Sequence, residues 1–183
     1  MARSSEAPLA IFMDLSAIFF AIRDLHPEQQ LNYAKLPEVI SRGMGSNAPQ
    51  RDATRVAWTS YIESNQGQQK FLSYLASSWT IRRFSPGDSF MVDPAAMNLG
   101  PCDRPAQRLV RFDASIAFSV GALAKIHEIV VVSDSFSLAE PLIRAAMSRG
   151  ESATSHLAFF GRSLDGRWAK LLRERAFPIR LID

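Results

Sequence analysis

Short apolar runs alternate with amphipathic stretches along the chain. Residues 9–13 form a continuous apolar run, the mark of a strand buried on both faces. Ser16 then suits a helix N-cap, and residues 17–25 carry the apolar spacing of a helix. Residues 33–41 predict a weaker helix interrupted by Pro37 and stopped by Gly43, and residues 41–52 read as loop. A strand over 55–61, a helix over 66–78 with Phe71, Leu72 and Leu75 inward, and a strand over 79–84 follow. Asp113 opens a helix reaching about residue 125, whose inward stripe is Ile116, Ala117, Val120 and Ala124. Residues 128–133, EIVVVS, are β-branched and continuous, and predict a central strand. A helix over 139–149 carries Pro141 in its first turn and Gly150 as C-cap. A strand over 156–160, a helix over 165–175 and a strand over 178–181 complete the pattern.

Short apolar strands separated by helices predict an α/β fold: a doubly wound, mostly parallel sheet with helices on both faces. The 183 residues read as a single domain, 1–183, with residues 1–8 as an N-terminal tail. Residues 86–107 hold four Pro and two Gly and predict a long loop, or a small hairpin in which SFMV pairs with RLVRF at the loop's end.

Hydrophobic residues make up 47% of the chain and charged residues 21%, which excludes an extended disordered or coiled-coil protein. The 21 Lys and Arg against 18 Asp and Glu leave a net charge of +3, compatible with a nucleic-acid partner. The single Cys102 excludes an internal disulfide and any zinc site of two or more thiolates. Asp14 interrupts the apolar stretch over 9–22, so we expect neither a signal peptide nor a membrane span there, and a cytoplasmic protein.

Ligands of doubly wound sheets bind beyond the carboxyl ends of the strands. Asp14 and Asp134 directly follow the strands over 9–13 and 128–133, and Asp113 stands at the open end of the stripe Ile116–Val120. If those two strands are neighbours, the three carboxylates converge on one edge. Clustered carboxylates repel unless a cation lies between them, and a hard Mg²⁺ or Mn²⁺ with oxygen ligands fits. The alternative for each Asp is a helix cap. Arg104, Arg108 and Arg111 lead into Asp113 and offer phosphate contacts, whereas Trp58 and Trp79 read as core and Trp168 stays open between core and base stacking. Glu63 and Asn65 follow the second strand, and the three histidines are dispersed.

The segments IFMDLSAIFF, RFDASIAFSVGAL and EIVVVSDSFSLAEPLIRAAMSRG, in that order, resemble NYN domains of the PIN-like ribonuclease superfamily. In that family an apolar strand ends in Asp-x-Asn, a middle helix carries two acids, and a Ser-Gly-Asp-x-Asp-Phe turn precedes a Pro-Leu helix. VAWTSYIESNQGQQKFLSYLASSWTIRRF fits the intervening strand, helix and strand. The resemblance spans about residues 9–183 and implies a PIN-like fold, a Mg²⁺ or Mn²⁺ site and hydrolysis of RNA.

Only Asp14, Asp113 and Asp134 carry the family's acids across, as metal ligands and catalytic residues. Ser16 stands where the family has Asn, Ser119 where the middle helix has its second acid, and Ser135, Phe136 and Ser137 fill the turn after Asp134. Serine cannot replace a carboxylate in charge, so metal affinity should fall. The expectation is therefore a metal-dependent ribonuclease with a depleted acid set. Its alternative is a non-catalytic module that binds RNA, a protein partner or a second copy of itself. A doubly wound domain for a small phosphorylated ligand is a third reading.

Overall fold

The computed structural model describes residues 7–16, 18–19, 22, 28, 30–44, 53–60, 64–84, 112–133, 135–150, 154–158, 166–173 and 179–182. The loop or hairpin expected over 86–107, Asp134, and Arg104, Arg108 and Arg111 lie outside them.

Among the described residues the elements are β1 (Leu9–Asp14), α1 (Leu36–Gly43), β2 (Ala53–Ser60), α2 (Gln66–Leu75), β3 (Thr80–Phe84) and α3 (Asp113–Leu123). They continue with β4 (Glu128–Val132), a 3₁₀ turn (Phe136–Leu138), α4 (Ala139–Met147), β5 (Ser155–Ala158), α5 (Gly166–Arg173) and β6 (Ile179–Ile182). The strands form one sheet in the order β3-β2-β1-β4-β5-β6. Every pairing is parallel. The doubly wound fold expected from the alternation is thus present.

β1 is buried at all six positions because it is central and covered on both faces. Its side chains alternate as the pleat requires. Leu9, Ile11 and Met13 pack with Leu36, Ile40, Leu72 and Leu75 from α1 and α2. Ala10 and Phe12 pack on the other face with Ile116 and Val120 of α3, Leu142 and Ala145 of α4, and Trp168 of α5.

Several boundaries differ from the sequence reading, and three of the differences have a clear local cause. Helical conformation begins at Leu15, so Ser16 lies inside the helix and is not its N-cap. Pro37 does not interrupt α1 but stands in its first turn, where a missing N–H costs nothing, and Gly43 is its last helical residue. Ser148 is the C-cap of α4, and Gly150 turns the chain two residues later with φ of 121°, a conformation that favours glycine.

Candidate functional site

The strand order determines where a ligand can enter. From β1 the connections run outward through β2 to β3, then return to β4 and run the other way to β6. The crossovers diverge between β1 and β4, which leaves a crevice at the carboxyl ends of those two strands. Asp14 ends β1 there, 5% exposed. It follows directly on the Met13–Val132 pair, as does Ser133 on β4. Ser133, 1% exposed, accepts a 3.2 Å hydrogen bond from the Ser135 amide through its Oγ.

Asp113 reaches the same edge from α3. It is the first helical residue and not the cap: the cap position is Phe112, which has no side-chain oxygen to give. A carboxylate in the first turn is favoured by the helix dipole. Its Oδ2 accepts hydrogen bonds from Ser135 Oγ at 2.7 Å and Ser137 Oγ at 2.5 Å. The two hydroxyls are themselves 2.8 Å apart. The turn leaving β4 is thereby bound to the start of α3.

An aromatic anchor fixes that turn from below. Phe136, between the two serines, meets Trp168 edge-on with ring centroids 5.1 Å apart, and the Arg167 guanidinium lies 4.8 Å from the Phe136 centroid. Such pairs contribute about 0.5–1.5 kcal/mol beyond the area they bury.

The other candidate residues fall as follows. Ser16 Oγ accepts a 3.4 Å hydrogen bond from the Ser60 amide, joining the end of β2 to the end of β1. Ser119 Oγ donates to the Ser115 carbonyl at 3.0 Å within its own helix. Six residues from Asp113, it lies about 120° round α3 from that carboxylate. Asn65 caps α2, its Oδ1 accepting from the Gln68 amide at 2.9 Å. Glu63 lies outside the described residues.

No family model and no curated protein matches the chain. A solved structure does. It is a crystal structure of a protein of unknown function from Vibrio parahaemolyticus RIMD 2210633, with a TM-score of 0.66 at 13% sequence identity. The match covers 100% of this chain and 97% of that one. At that identity the likeness carries the fold alone.

Trp58 and Trp79 are core, as expected, and the structure places Trp168 there too: all three are at most 3% exposed. Trp58 stacks edge-on with Phe12, and Trp79 Nε1 donates to the Tyr33 carbonyl at 3.1 Å. Burial pushes the Tyr33 phenol up to about 12.

One half-buried pair was not anticipated. His156 Nε2 and Glu128 Oε1 lie 2.9 Å apart across β4 and β5, at the opposite edge of the sheet from Asp14. Arg149 lies near them, its guanidinium lowered by burial, with Glu128 pulling the other way. It donates to the Thr154 carbonyl. Strand parity was the available signal, because Glu128 and His156 fall on one face once Val130 pairs with His156.

The donor set at the β1–β4 edge is all oxygen, carboxylate and hydroxyl, which suits a hard cation. Among the described residues no three His, Cys, Asp or Glu gather closely enough to hold a metal ion. Asp134, the third carboxylate of the sequence reading, lies outside the described residues.

Proposed function

We propose that the chain is a divalent-metal-dependent ribonuclease of the NYN, PIN-like type, acting on cytoplasmic RNA. Asp14, Asp113 and Asp134 would hold one Mg²⁺ or Mn²⁺. One observation carries the reading: the end of β1 and the turn leaving β4 bring buried oxygen donors together at the switch point of a 3-2-1-4-5-6 sheet. When bound, the ion supplies positive charge against the phosphoryl oxygens and acidifies water toward neutral pH. Asp14, at 5% exposure, attracts a cation more strongly than a solvated carboxylate does. Ser135 and Ser137 orient the Asp113 carboxylate through the bonds they donate to Oδ2. Arg104, Arg108 and Arg111 are the proposed phosphate contacts. Three carboxylates cannot balance the four positive charges of a two-ion site, so one ion is proposed and slow, Mn²⁺-preferring cleavage.

A second reading, a non-catalytic module that binds RNA or a protein, is favoured by the serine bonds themselves. Two hydroxyls already donate to Asp113 Oδ2. A carboxylate held in that way has less need of a cation.

The test is cleavage of a fluorophore–quencher single-stranded RNA at millimolar Mn²⁺, with and without Asp14→Asn. Cleavage that requires metal and is lost in the variant supports the nuclease. Tight RNA binding with no cleavage by folded protein moves the assignment to the second reading.

A further inference from the structure

The sequence of α3, DASIAFSVGAL, is apolar nearly all the way round. A helix of that kind is normally buried on every side. Here the inner face is covered, since Ile116, Val120 and Ala124 lie against the sheet. The outer face is not. Phe118 is 80% exposed, the highest value among the large hydrophobics of the described residues, and Ile126, just beyond the helix, is 64% exposed. Ala114, Gly121, Ala122 and Lys125 are exposed beside them. A Cβ added at Gly121 would meet nothing within 4 Å, so another backbone can approach closely there.

This face borders a groove of about 460 Å³ between α3 and α4, lined by Ala117, Gly121, Ala124, Glu140, Arg144 and Ala145 among others. Both helices pack on one face of the sheet and connect parallel strands, so they run side by side in the same direction. The groove is therefore polar end to end. Glu140, with Asp113 beyond it, marks the carboxyl-edge end, and Lys125 marks the other. Arg144 lies between and pairs with Glu140 at 2.6 Å, both side chains more than 70% exposed.

We propose that this face binds a second copy of the chain, in a two-fold dimer with the α3 helices antiparallel and crossing near Gly121 and Ala122. Phe118 and Ile126 stand four residues either side of Ala122, so a two-fold axis there places each Phe118 against the other copy's Ile126. The same operation brings the Glu140 end of one groove to the Lys125 end of the other. The charges at the two ends of the groove then complement one another between copies, as an isologous interface requires. Exposed aromatic and aliphatic side chains flanking small residues supply its apolar centre.

The test is analytical ultracentrifugation of the full chain at rising micromolar concentration. A dimer is expected for the unaltered protein. Phe118→Glu should raise its dissociation constant about a hundredfold, because two copies of a central aromatic are lost. With Phe118 so exposed, its circular dichroism should be unchanged, and its melting temperature should equal the parent's at concentrations where both are monomeric. Lys125→Glu and Glu140→Lys should each weaken the dimer several-fold, and the two together should restore it. A monomer at every concentration overturns the proposal, as does a dimer indifferent to Phe118→Glu. A double charge reversal that weakens association further than either single change overturns the antiparallel arrangement.

Discussion

The Ser135 hydroxyl donates to Asp113 Oδ2 at 2.7 Å, across 22 residues of sequence. It ties the exit of β4 to the start of α3. Ser135 is 7% exposed and Asp113 is half-buried, so its loss leaves the carboxylate short of a donor on its inner side, where water replaces it poorly. Ser135→Ala should lower the free energy of unfolding by about 1–3 kcal/mol. Ser137→Ala should cost less, because Ser137 is exposed and water can replace it. Urea unfolding of the two variants checks the order.

Position 137, and not position 119, is where an added acid should matter to a metal. Ser137 Oγ lies 2.5 Å from Asp113 Oδ2, whereas Ser119 donates back into its own helix. Calorimetric Mn²⁺ titration should show tighter binding for Ser137→Asp and no change for Ser119→Asp. Asp14→Asn should weaken binding in either background.

The half-buried Glu128–His156 pair predicts an asymmetric mutational response. Glu128→Ala leaves His156, 4% exposed, without the acceptor 2.9 Å away, and should cost about 1–3 kcal/mol. Glu128→Gln keeps an acceptor oxygen and should cost less. Thermal unfolding at neutral pH separates the two.

Tyr33 sets an alkaline limit on stability. Its phenol ionises near 10 in the unfolded chain and about 12 in the folded one. A raised folded-state value means the contribution is full below pH 10 and is lost as pH rises toward 12. Tyr33→Phe should flatten the fall in stability over that window. The check is urea unfolding at several alkaline pH values, with phenolate absorbance to follow the titration.

The sheet was legible because its causes are local. Runs such as LAIFMD and EIVVV suit burial on both faces, as in a parallel sheet, and the helices between them carry their own stripes. The positions of Asp14 and Asp113 at strand and helix ends were legible for the same reason. The bonds of the serines were not. Ser135, Ser137 and Ser16 find partners at sequence separations of 22, 24 and 44, and a hydroxyl gives no advance sign of a distant partner. Helix angle, by contrast, was available for Ser119: six residues from Asp113 is about two-thirds of a turn past the first. Alignment to a family pattern does not register that angle.

β1 occupies the centre of the sheet, and its two partners are β2 and β4. During synthesis it is the first strand to emerge, yet its β4 edge stays open until Val132 has been added, more than a hundred residues later. At about 5–20 residues per second that interval is roughly 6–24 s. Through it the hexapeptide LAIFMD carries apolar side chains on both faces and a row of unpaired amides. How long the central strand waits for its second neighbour is thus set by the order of the strands in the sheet.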